Sequence, residues 1–163
     1  MGTYLHRLSD SLLSAEVVPA FVRVCAMRMS GYRISSTTSI WAKAKFGSKR
    51  VETGENVFIN YGFYFDGNEH LRIGSNVRIA QFVRVLTATH TIGPPQQRCR
   101  VDVLEQPVAI GDGCWIGSGV TIFPGVEIAD GCVIAANSLV LTSTEPNGLY
   151  MGAPARRVRT LAS

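Results

Sequence analysis

The sequence predicts an all-β protein: a parallel β-helix of six-residue repeats, with short N-terminal helices and one loop that leaves the coils. From Ile110 onward the chain divides into six consecutive hexads, each beginning with Ile or Val: IGDGCW, IGSGVT, IFPGVE, IADGCV, IAANSL and VLTSTE. The second to fourth places collect turn-forming residues, mainly Gly, Ala, Asp, Asn, Pro and Ser. The chain also contains 16 Gly and 7 Pro, as frequent turns require.

A period of six fits neither an α-helix, which repeats about every 3.6 residues, nor a plain alternating strand. It fits a chain that forms a short strand, turns and repeats, so that three strands close a coil of about 18 residues and successive coils pair in parallel. The same frame appears in Ile73–His90 and more weakly in Thr53–His70, with a two-residue slip at Leu71–Arg72. A β-sandwich with accidental spacing is the alternative, and six consecutive matching hexads argue against it.

Three segments are predicted: an N-terminal helical segment at 1–30, the β-helix at 31–145 and a C-terminal tail at 146–163. Apolar residues at helical spacing predict one or two short amphipathic helices, broken at Pro19; these residues are Leu5, Leu8, Leu12, Phe21, Val24, Cys25 and Met29. Residues 91–106 abandon the hexads, which predicts a loop leaving the coil, and a loop this long is usually functional or disordered.

The composition excludes several classes of protein. Apolar residues make up 46% of the chain and charged residues 17%, which rules out disorder over most of the length. No stretch approaches the roughly 20 apolar residues of a membrane-spanning helix, and the N-terminal region does not resemble a signal peptide, so we expect a cytoplasmic protein. The net charge of +4 favours an anionic ligand, whereas the dispersed positive residues do not indicate a nucleic-acid-binding surface.

The four cysteines show neither CxxC spacing nor a histidine at metal-ligand distance in the sequence. This pattern predicts neither a disulfide framework nor a zinc site. Cys114 and Cys132 stand 18 residues apart, so the coil model places them in neighbouring coils on one face, where Cys serves as a small hydrophobic residue.

One histidine has a setting that suits catalysis. His90 ends the last regular hexad before the loop, so its side chain can point outward from a rigid wall beneath a flexible segment, as a general base requires. His6 lies in the leading helix and His70 ends a weak hexad. An idle, exposed histidine is the alternative interpretation of His90.

Four motifs stand in order between Thr53 and Leu161: INYGFYFD, IGSNVRIAQFVRVLTATH, VAIGDGCWIGSGVTIFPGVEIADGCVIAANSLV and GAPARRV. In this order and spacing they resemble the hexapeptide-repeat O-acetyltransferases, especially those acting on maltose, galactosides, nodulation factors and envelope polysaccharides. The resemblance implies a homotrimer of left-handed parallel β-helices with active sites between subunits. It also implies acetyl-CoA as donor, no metal, and a hydroxyl of a sugar, glycan or glycoconjugate as acceptor.

The resemblance implies direct acetyl transfer without a covalent acyl-enzyme. His90 matches the family's catalytic histidine, and Ser118 matches the position whose backbone N–H meets the thioester oxygen. Asn60 matches an acceptor-binding asparagine, with an Asn satisfying its own turn as the alternative. Asp66 or Asn68 lies near the family's acceptor-binding carboxylate, and because the frame slips here, both stay open.

The resemblance also implies four residues that contact acetyl-CoA in addition to Ser118. Trp115 would line the pantetheine groove and Ala136 would make a backbone contact, although a Trp that begins a coil face can simply be packing. Arg156 and Arg159 match arginines near the nucleotide end of CoA, where guanidinium groups suit phosphates. A solvated basic tail is the alternative for these arginines.

The chain departs from the family after the last coil, where the family often has Lys and this sequence has Thr142 or Ser143. Thr142 is therefore a weaker candidate for a cofactor contact, and phosphate binding would depend more on the tail arginines. An antibiotic or natural-product O-acetyltransferase and a non-catalytic scaffold protein are the alternative functions. A γ-type carbonic anhydrase would need a third histidine on the coils. The N-terminal helices are a candidate for weak contact with a membrane surface.

Overall fold

The computed structural model describes residues 14–162. This part of the chain contains one α-helix and eighteen short strands. They are α1 (Ala20–Met29), β1 (Ser39–Ile40), β2 (Lys45–Phe46), β3 (Val51–Thr53), β4 (Phe58–Ile59), β5 (Tyr64–Phe65), β6 (Leu71–Ile73), β7 (Arg78–Ile79), β8 (Arg84–Val85), β9 (Ala88–Ile92), β10 (Cys99–Glu105), β11 (Val108–Ile110), β12 (Trp115–Ile116), β13 (Thr121–Ile122), β14 (Glu127–Ile128), β15 (Val133–Ile134), β16 (Leu139–Val140), β17 (Gly148–Gly152) and β18 (Ala155–Thr160).

The strands form three parallel sheets that wrap a common core, so the predicted β-helix of hexapeptide repeats is confirmed. Face 1 has the order β1-β4-β7-β12-β15-β17, face 2 the order β2-β5-β8-β13-β16, and face 3 the order β3-β6-β11-β14. The chain visits the faces in turn, and coils 1 to 5 begin at β1, β4, β7, β12 and β15. Corner 1–2 joins face 1 to face 2, corner 2–3 joins face 2 to face 3, and corner 3–1 closes the coil.

Each coil strand turns two alternate residues into the core. In β4, for example, Ile59 and the preceding Val57 are fully buried while Phe58 between them points outward, because successive side chains in a strand alternate in direction. The first and fifth places of each hexad therefore both face the core. Burial of one such side chain contributes roughly 1.5–3 kcal/mol, so the isoleucine stack on face 1 sets the register; it contains Ile40, Ile59, Ile79, Ile116 and Ile134.

The two-residue slip predicted at Leu71–Arg72 lies instead in the preceding turn. Leu71 and Arg72 belong to β6 and pair with Val51 and Glu52 of β3. The extra residues are in turn 66–70, which extends corner 2–3. A longer corner leaves the strand register on either side unchanged, which explains why the hexad frame resumes after it.

Residues 91–106 leave the coil, as predicted, but they are ordered as part of a β-hairpin. Strand β9 begins at Ala88 and pairs antiparallel with β10, with His90 opposite Val103. The coil hexad therefore ends near Val85, and His90 lies on the hairpin rather than in the last place of a coil hexad. The hairpin exposes four apolar side chains, those of Ile92, Val101, Val103 and Leu104.

The segment 146–163, predicted as a tail, forms two strands instead. Strand β17 pairs in parallel with β15, with Val133 opposite Leu149, so the chain completes one more rung of face 1. Strand β18 then folds back antiparallel on β17. Arg156 and Arg159 therefore stand on a sheet edge, where backbone hydrogen bonds limit their positions.

Helix α1 packs at the N-terminal end of the coils and begins directly after Pro19, the position of the predicted break. The Arg23 side chain, only 2% exposed, donates hydrogen bonds to the carbonyls of Ile40 (2.6 Å), Ala15 (2.9 Å) and Val18 (3.0 Å). The bond to Ile40 connects the helix to coil 1, and the other two connect it to the segment before Pro19. Leu5, His6, Leu8 and Leu12 lie outside the described residues. Between residues 14 and 162, no helix combines the length and apolar character needed to cross a bilayer.

Cys114 and Cys132 lie in neighbouring coils, as the 18-residue spacing predicts, next to the paired residues Trp115 and Val133. Both thiols are free and buried. Burial raises the pKa of the Cys114 thiol to about 11, so it stays protonated at neutral pH and serves as a small core residue.

Candidate functional site

Corner 1–2 stacks the turns that carry Asn60, Ser118 and Ala136. Ser118 and Ala136 follow Ile116 and Ile134, which are paired residues of β12 and β15, so they occupy the same turn position in coils 4 and 5. The amide N–H of Asn137 donates to the Ser118 carbonyl at 2.8 Å, which fixes the stacking. Neighbouring coils are about 4.8 Å apart, so these turns form a ladder along the coil axis.

The turn around Ser118 presents its backbone to solvent. A Cβ atom on Gly117 would lie 2.6 Å from the Ala136 nitrogen, so this position needs glycine, and Gly119 adopts a φ of +70°, which glycine tolerates without strain. The Ser118 hydroxyl donates to Gln81 Oε1 at 2.9 Å. Within residues 14–162 the Ser118 amide N–H has no hydrogen-bond acceptor, so it can donate to a ligand.

Asn60 lies two coils away from Ser118 on the same corner, in coil 2. Its side-chain Oδ1 accepts a hydrogen bond from the Tyr61 backbone N–H at 2.7 Å, and the Asn60 backbone N–H donates to the Ile79 carbonyl at 2.9 Å. The side chain therefore satisfies its own turn. Its Nδ2 group donates to none of the residues that the structure describes, so turn support and a ligand contact are compatible.

The His90 imidazole is oriented by a backbone carbonyl across the hairpin. Its Nδ1 lies 2.8 Å from the Arg100 carbonyl oxygen. Because a carbonyl can only accept, Nδ1 carries the hydrogen in this contact and Nε2 of the neutral ring keeps a free lone pair. The side chain is exposed. The geometry thus provides a proton acceptor that faces outward, and sequence reasoning did not identify Arg100 as its partner.

Asp66 holds the base of the hairpin to corner 2–3. Its carboxylate accepts hydrogen bonds from the Thr87 amide (2.8 Å), the Thr87 hydroxyl and the Ala88 amide (3.2 Å). The Thr87 oxygen also accepts from the Glu69 amide at 2.9 Å. Both carboxylate oxygens are therefore engaged by the segment that leads to His90. Asn68, on the same turn, has an exposed side chain.

The candidate cofactor residues fall mainly on face 1. Trp115 is 58% exposed and lies between Arg78 and Val133 of the adjoining strands. Arg156 and Arg159 are exposed on β18, opposite Met151 and Leu149. No carboxylate of residues 14–162 pairs with either arginine, whereas Arg157 between them pairs with Glu145. Among the residues that the structure describes, the two flanking arginines are thus the cations of this strand without a carboxylate partner.

Thr142 does not join this group. It lies two residues after Val140 of β16 and is exposed on corner 2–3, the corner from which the hairpin leaves. The site residues consequently form two sets. Corner 1–2 and face 1 carry Asn60, Trp115, Ser118, Ala136, Arg156 and Arg159, whereas corner 2–3 carries Asp66, Asn68, His90 and Thr142.

Face 2 separates the two sets within one chain. Crossing from corner 1–2 to corner 2–3 takes about five residues of extended chain, or roughly 15 Å. His90 and Ser118 share no contact among the described residues. No cluster of three or more potential metal-ligating side chains lies between residues 14 and 162.

The family model described as "Bacterial transferase hexapeptide (six repeats)" matches residues 107–142. A galactoside O-acetyltransferase of Escherichia coli is 34% identical over 116 residues, which are 71% of this chain and 56% of that protein. The chain spans about half the length of the curated relatives that it matches.

Solved structures match over nearly the whole chain. A maltose O-acetyltransferase of Clostridium difficile is 30% identical, with a TM-score of 0.79 over 99% of this chain and 86% of that one. A hexapeptide-repeat acetyltransferase of Vibrio cholerae, solved in complex with acetyl-CoA, is 26% identical, with a TM-score of 0.81 over 99% of this chain and 87% of that one. The shared repeat, the identity and this coverage together establish that the chain belongs to the hexapeptide-repeat acetyltransferase family.

Proposed function

We propose that the protein is an acetyl-CoA-dependent O-acetyltransferase that acetylates a hydroxyl of a sugar, glycan or glycoconjugate. The observation that carries the proposal is the His90 imidazole, whose Nδ1 is engaged by the Arg100 carbonyl at 2.8 Å while Nε2 faces outward. This arrangement suits a general base, since the proton acceptor is held in one tautomer.

The reaction would proceed by direct transfer. Nε2 of His90 takes the proton of the acceptor hydroxyl as the oxygen attacks the thioester carbonyl. The Ser118 amide N–H donates to the oxyanion that develops there, a contact that stabilises the transition state. As the tetrahedral intermediate collapses, the C–S bond breaks, the proton passes from His90 to the CoA sulfur, and the products are an acetyl ester and free CoA.

The same proposal assigns the remaining residues. The CoA phosphates would bind Arg156 and Arg159, which have no carboxylate partner in residues 14–162. Ala136, in coil 5, lies between Ser118 and the strand pair that carries these arginines, and Trp115 lies in coil 4 with Ser118; both would contact pantetheine. Asn60 lies on the opposite side of Ser118 along the coil axis, where its free Nδ2 group would hold the acceptor.

The separation of His90 from Ser118 supports active sites shared between subunits. We infer a homotrimer, in which the hairpin of one subunit reaches corner 1–2 of the next. The exposed apolar side chains of the hairpin support this inference, because an isolated chain would leave Ile92, Val101 and Val103 in water. Thr142 would then lie on the same side of the shared site as His90.

A thiol-release assay tests the proposal. The protein is incubated with acetyl-CoA and a panel of acceptors: methyl pyranosides, maltose, thiogalactosides, chloramphenicol and a macrolide. We expect release of CoA that depends on a sugar acceptor, with a product heavier by one acetyl group. Release with an antibiotic alone would indicate a different acceptor class, and failure to bind acetyl-CoA would indicate a non-catalytic scaffold.

A further inference from the structure

One turn position on corner 1–2 adopts a left-handed backbone in every coil. It is the third residue after each face 1 strand, occupied in order by Lys43, Gly62, Phe82, Gly119 and Asn137, with φ values from +58° to +72°. Gly and Asn tolerate this conformation, whereas a bulky side chain there is strained. Phe82, at φ +59°, is the aromatic residue among the five.

The Phe82 side chain is 59% exposed, so hydrophobic burial does not offset the strain of its backbone. The ring lies over Gly62, where an added Cβ atom would lie 2.6 Å from the Phe82 Cδ1. It also meets the edge of Tyr61, with centroids 5.7 Å apart and planes at 86°. A strained backbone that displays an exposed side chain is a feature found at functional sites more often than in packing.

The support beneath Phe82 is itself held in place. The Tyr61 hydroxyl donates to Glu16 Oε1 at 3.0 Å, and Lys43 Nζ lies 3.0 Å from the same carboxylate oxygen. Lys43 also stands 5.1 Å from the centre of the Tyr61 ring. Phe82 is therefore presented from a pre-ordered cluster of side chains and needs little reorganisation to receive a ligand.

The position of Phe82 along the coil axis suits an acceptor. It lies in coil 3, between Asn60 of coil 2 and Ser118 of coil 4. The preceding residue, Gln81, accepts a hydrogen bond from the Ser118 hydroxyl. The candidate CoA residues continue in the other direction, through Ala136 of coil 5. The space next to Phe82 thus lies on the side of Ser118 away from the candidate CoA residues.

We propose that Phe82 is the stacking platform for a pyranose ring of the acceptor and a determinant of acceptor specificity, an inference that rests on the proposed acetyltransferase function. The face of an aromatic ring carries partial negative charge, and the C–H groups on one face of a pyranose carry partial positive charge. Stacking would leave the sugar hydroxyls free for Asn60 and His90. The sequence contained an indication, because Phe occupies the fourth hexad place, where coils 2, 4 and 5 have Gly or Asn and coil 1 has Lys43.

The test compares Phe82→Asn and Phe82→Gly with the native protein in acetyl transfer to methyl galactopyranoside, methyl glucopyranoside and the open-chain polyol mannitol. Both variants relieve the left-handed strain, so the melting temperature is expected to stay equal or rise. The KM for the pyranosides is expected to rise about three- to tenfold, whereas the KM for acetyl-CoA and for mannitol stays unchanged. Phe82→Tyr keeps a ring and is expected to retain the native pyranoside KM.

Phe21→Ala is the matched control, since Phe21 is an exposed Phe on α1, at the end of the coils. Unchanged pyranoside KM values in Phe82→Asn would overturn the inference while leaving the acetyltransferase proposal intact. Dissociation of the Phe82 variants in light scattering would assign the ring to a subunit contact and overturn it as well. If the native protein transfers acetyl groups to no hydroxyl acceptor, the proposed function fails and this inference fails with it.

Discussion

Corner 1–2 and corner 2–3 connect strands of the same coils, yet they are built differently. In each of coils 1 to 5, corner 1–2 places three residues between the core side chain that ends the face 1 strand and the next core side chain, as in 60–62, 80–82 and 117–119. Corner 2–3 instead varies: it is 47–50 in coil 1, 66–70 in coil 2, and in coil 3 it expands into the whole hairpin between Val85 and Val108.

Under the proposed function, the two corners would serve two different chemical tasks. A corner of constant length stacks equivalent backbone N–H groups at regular intervals, which suits a long, polar donor substrate lying along the axis. A corner of variable length can carry an inserted element, here the hairpin that presents the His90 imidazole.

Removal of the His90 imidazole removes the contribution of corner 2–3. For His90→Ala we expect kcat to fall roughly 10²–10⁴-fold, the usual contribution of a general base, with the melting temperature and acetyl-CoA binding unchanged. Steady-state thiol release and calorimetry measure these quantities.

His70→Ala is the control for this substitution. His70 is also an exposed histidine on corner 2–3, but it lies on turn 66–70 of coil 2 and not on the hairpin. It is expected to keep the native rate. Near-native acetyl transfer by a stable His90→Ala protein would show that the general base lies elsewhere.

The proposed contribution of corner 1–2 to the chemical step is one backbone N–H group, that of Ser118. Ser118→Pro removes it, and the turn can accept proline because Pro124 occupies the same place in the next hexad. We expect kcat to fall roughly 10²–10³-fold, as for loss of an oxyanion donor. Ser118→Ala keeps the N–H and loses only the hydroxyl bond to Gln81, so its kcat should stay close to native. Equal rates in the two variants would exclude the N–H contact.

Mixed oligomers test whether the two corners act across subunits. In a trimer assembled at random from equal amounts of His90→Ala and Ser118→Pro chains, about one quarter of the sites combine an intact His90 with an intact Ser118. Co-refolded mixtures should therefore recover about a quarter of the native rate, although each variant alone is nearly inactive. Recovery that never exceeds the sum of the separate variants would mean that each site is contained in one chain.

The smallest effect concerns Asp66, which the structure connects to the hairpin. In Asp66→Asn an amide NH₂ replaces one of the oxygens that accept from Thr87 and Ala88. We expect kcat to fall roughly 10- to 100-fold, because His90 loses its position, with the acceptor KM unchanged. Thr87→Val should act in the same direction and Thr87→Ser should not. A raised acceptor KM with native kcat would instead assign Asp66 to acceptor binding.

The hexads could be predicted from sequence because each one is a local unit. A buried Ile or Val every sixth residue, with Gly, Asn or Asp in the turns, specifies a strand and a corner without reference to distant residues, as in Ile110–Val140. The hairpin could not be predicted in this way. TATH continues the six-residue spacing of the preceding hexads, and only the pairing of His90 with Val103 takes it out of the coil.

The repeat and the inward-facing residues can thus be predicted from the amino-acid sequence alone, and the motifs around His90 and Ser118 indicate the candidate chemistry. Only the folded chain shows which corner each candidate occupies, that the Arg100 carbonyl orients His90, that Asp66 is engaged by the hairpin, and that Phe82 is exposed in a left-handed turn. The physical reason is that strands and turns follow from local spacing. The face on which a residue lies depends on the summed lengths of all preceding corners, and hydrogen bonds between corners and hairpin form only once the coils have stacked.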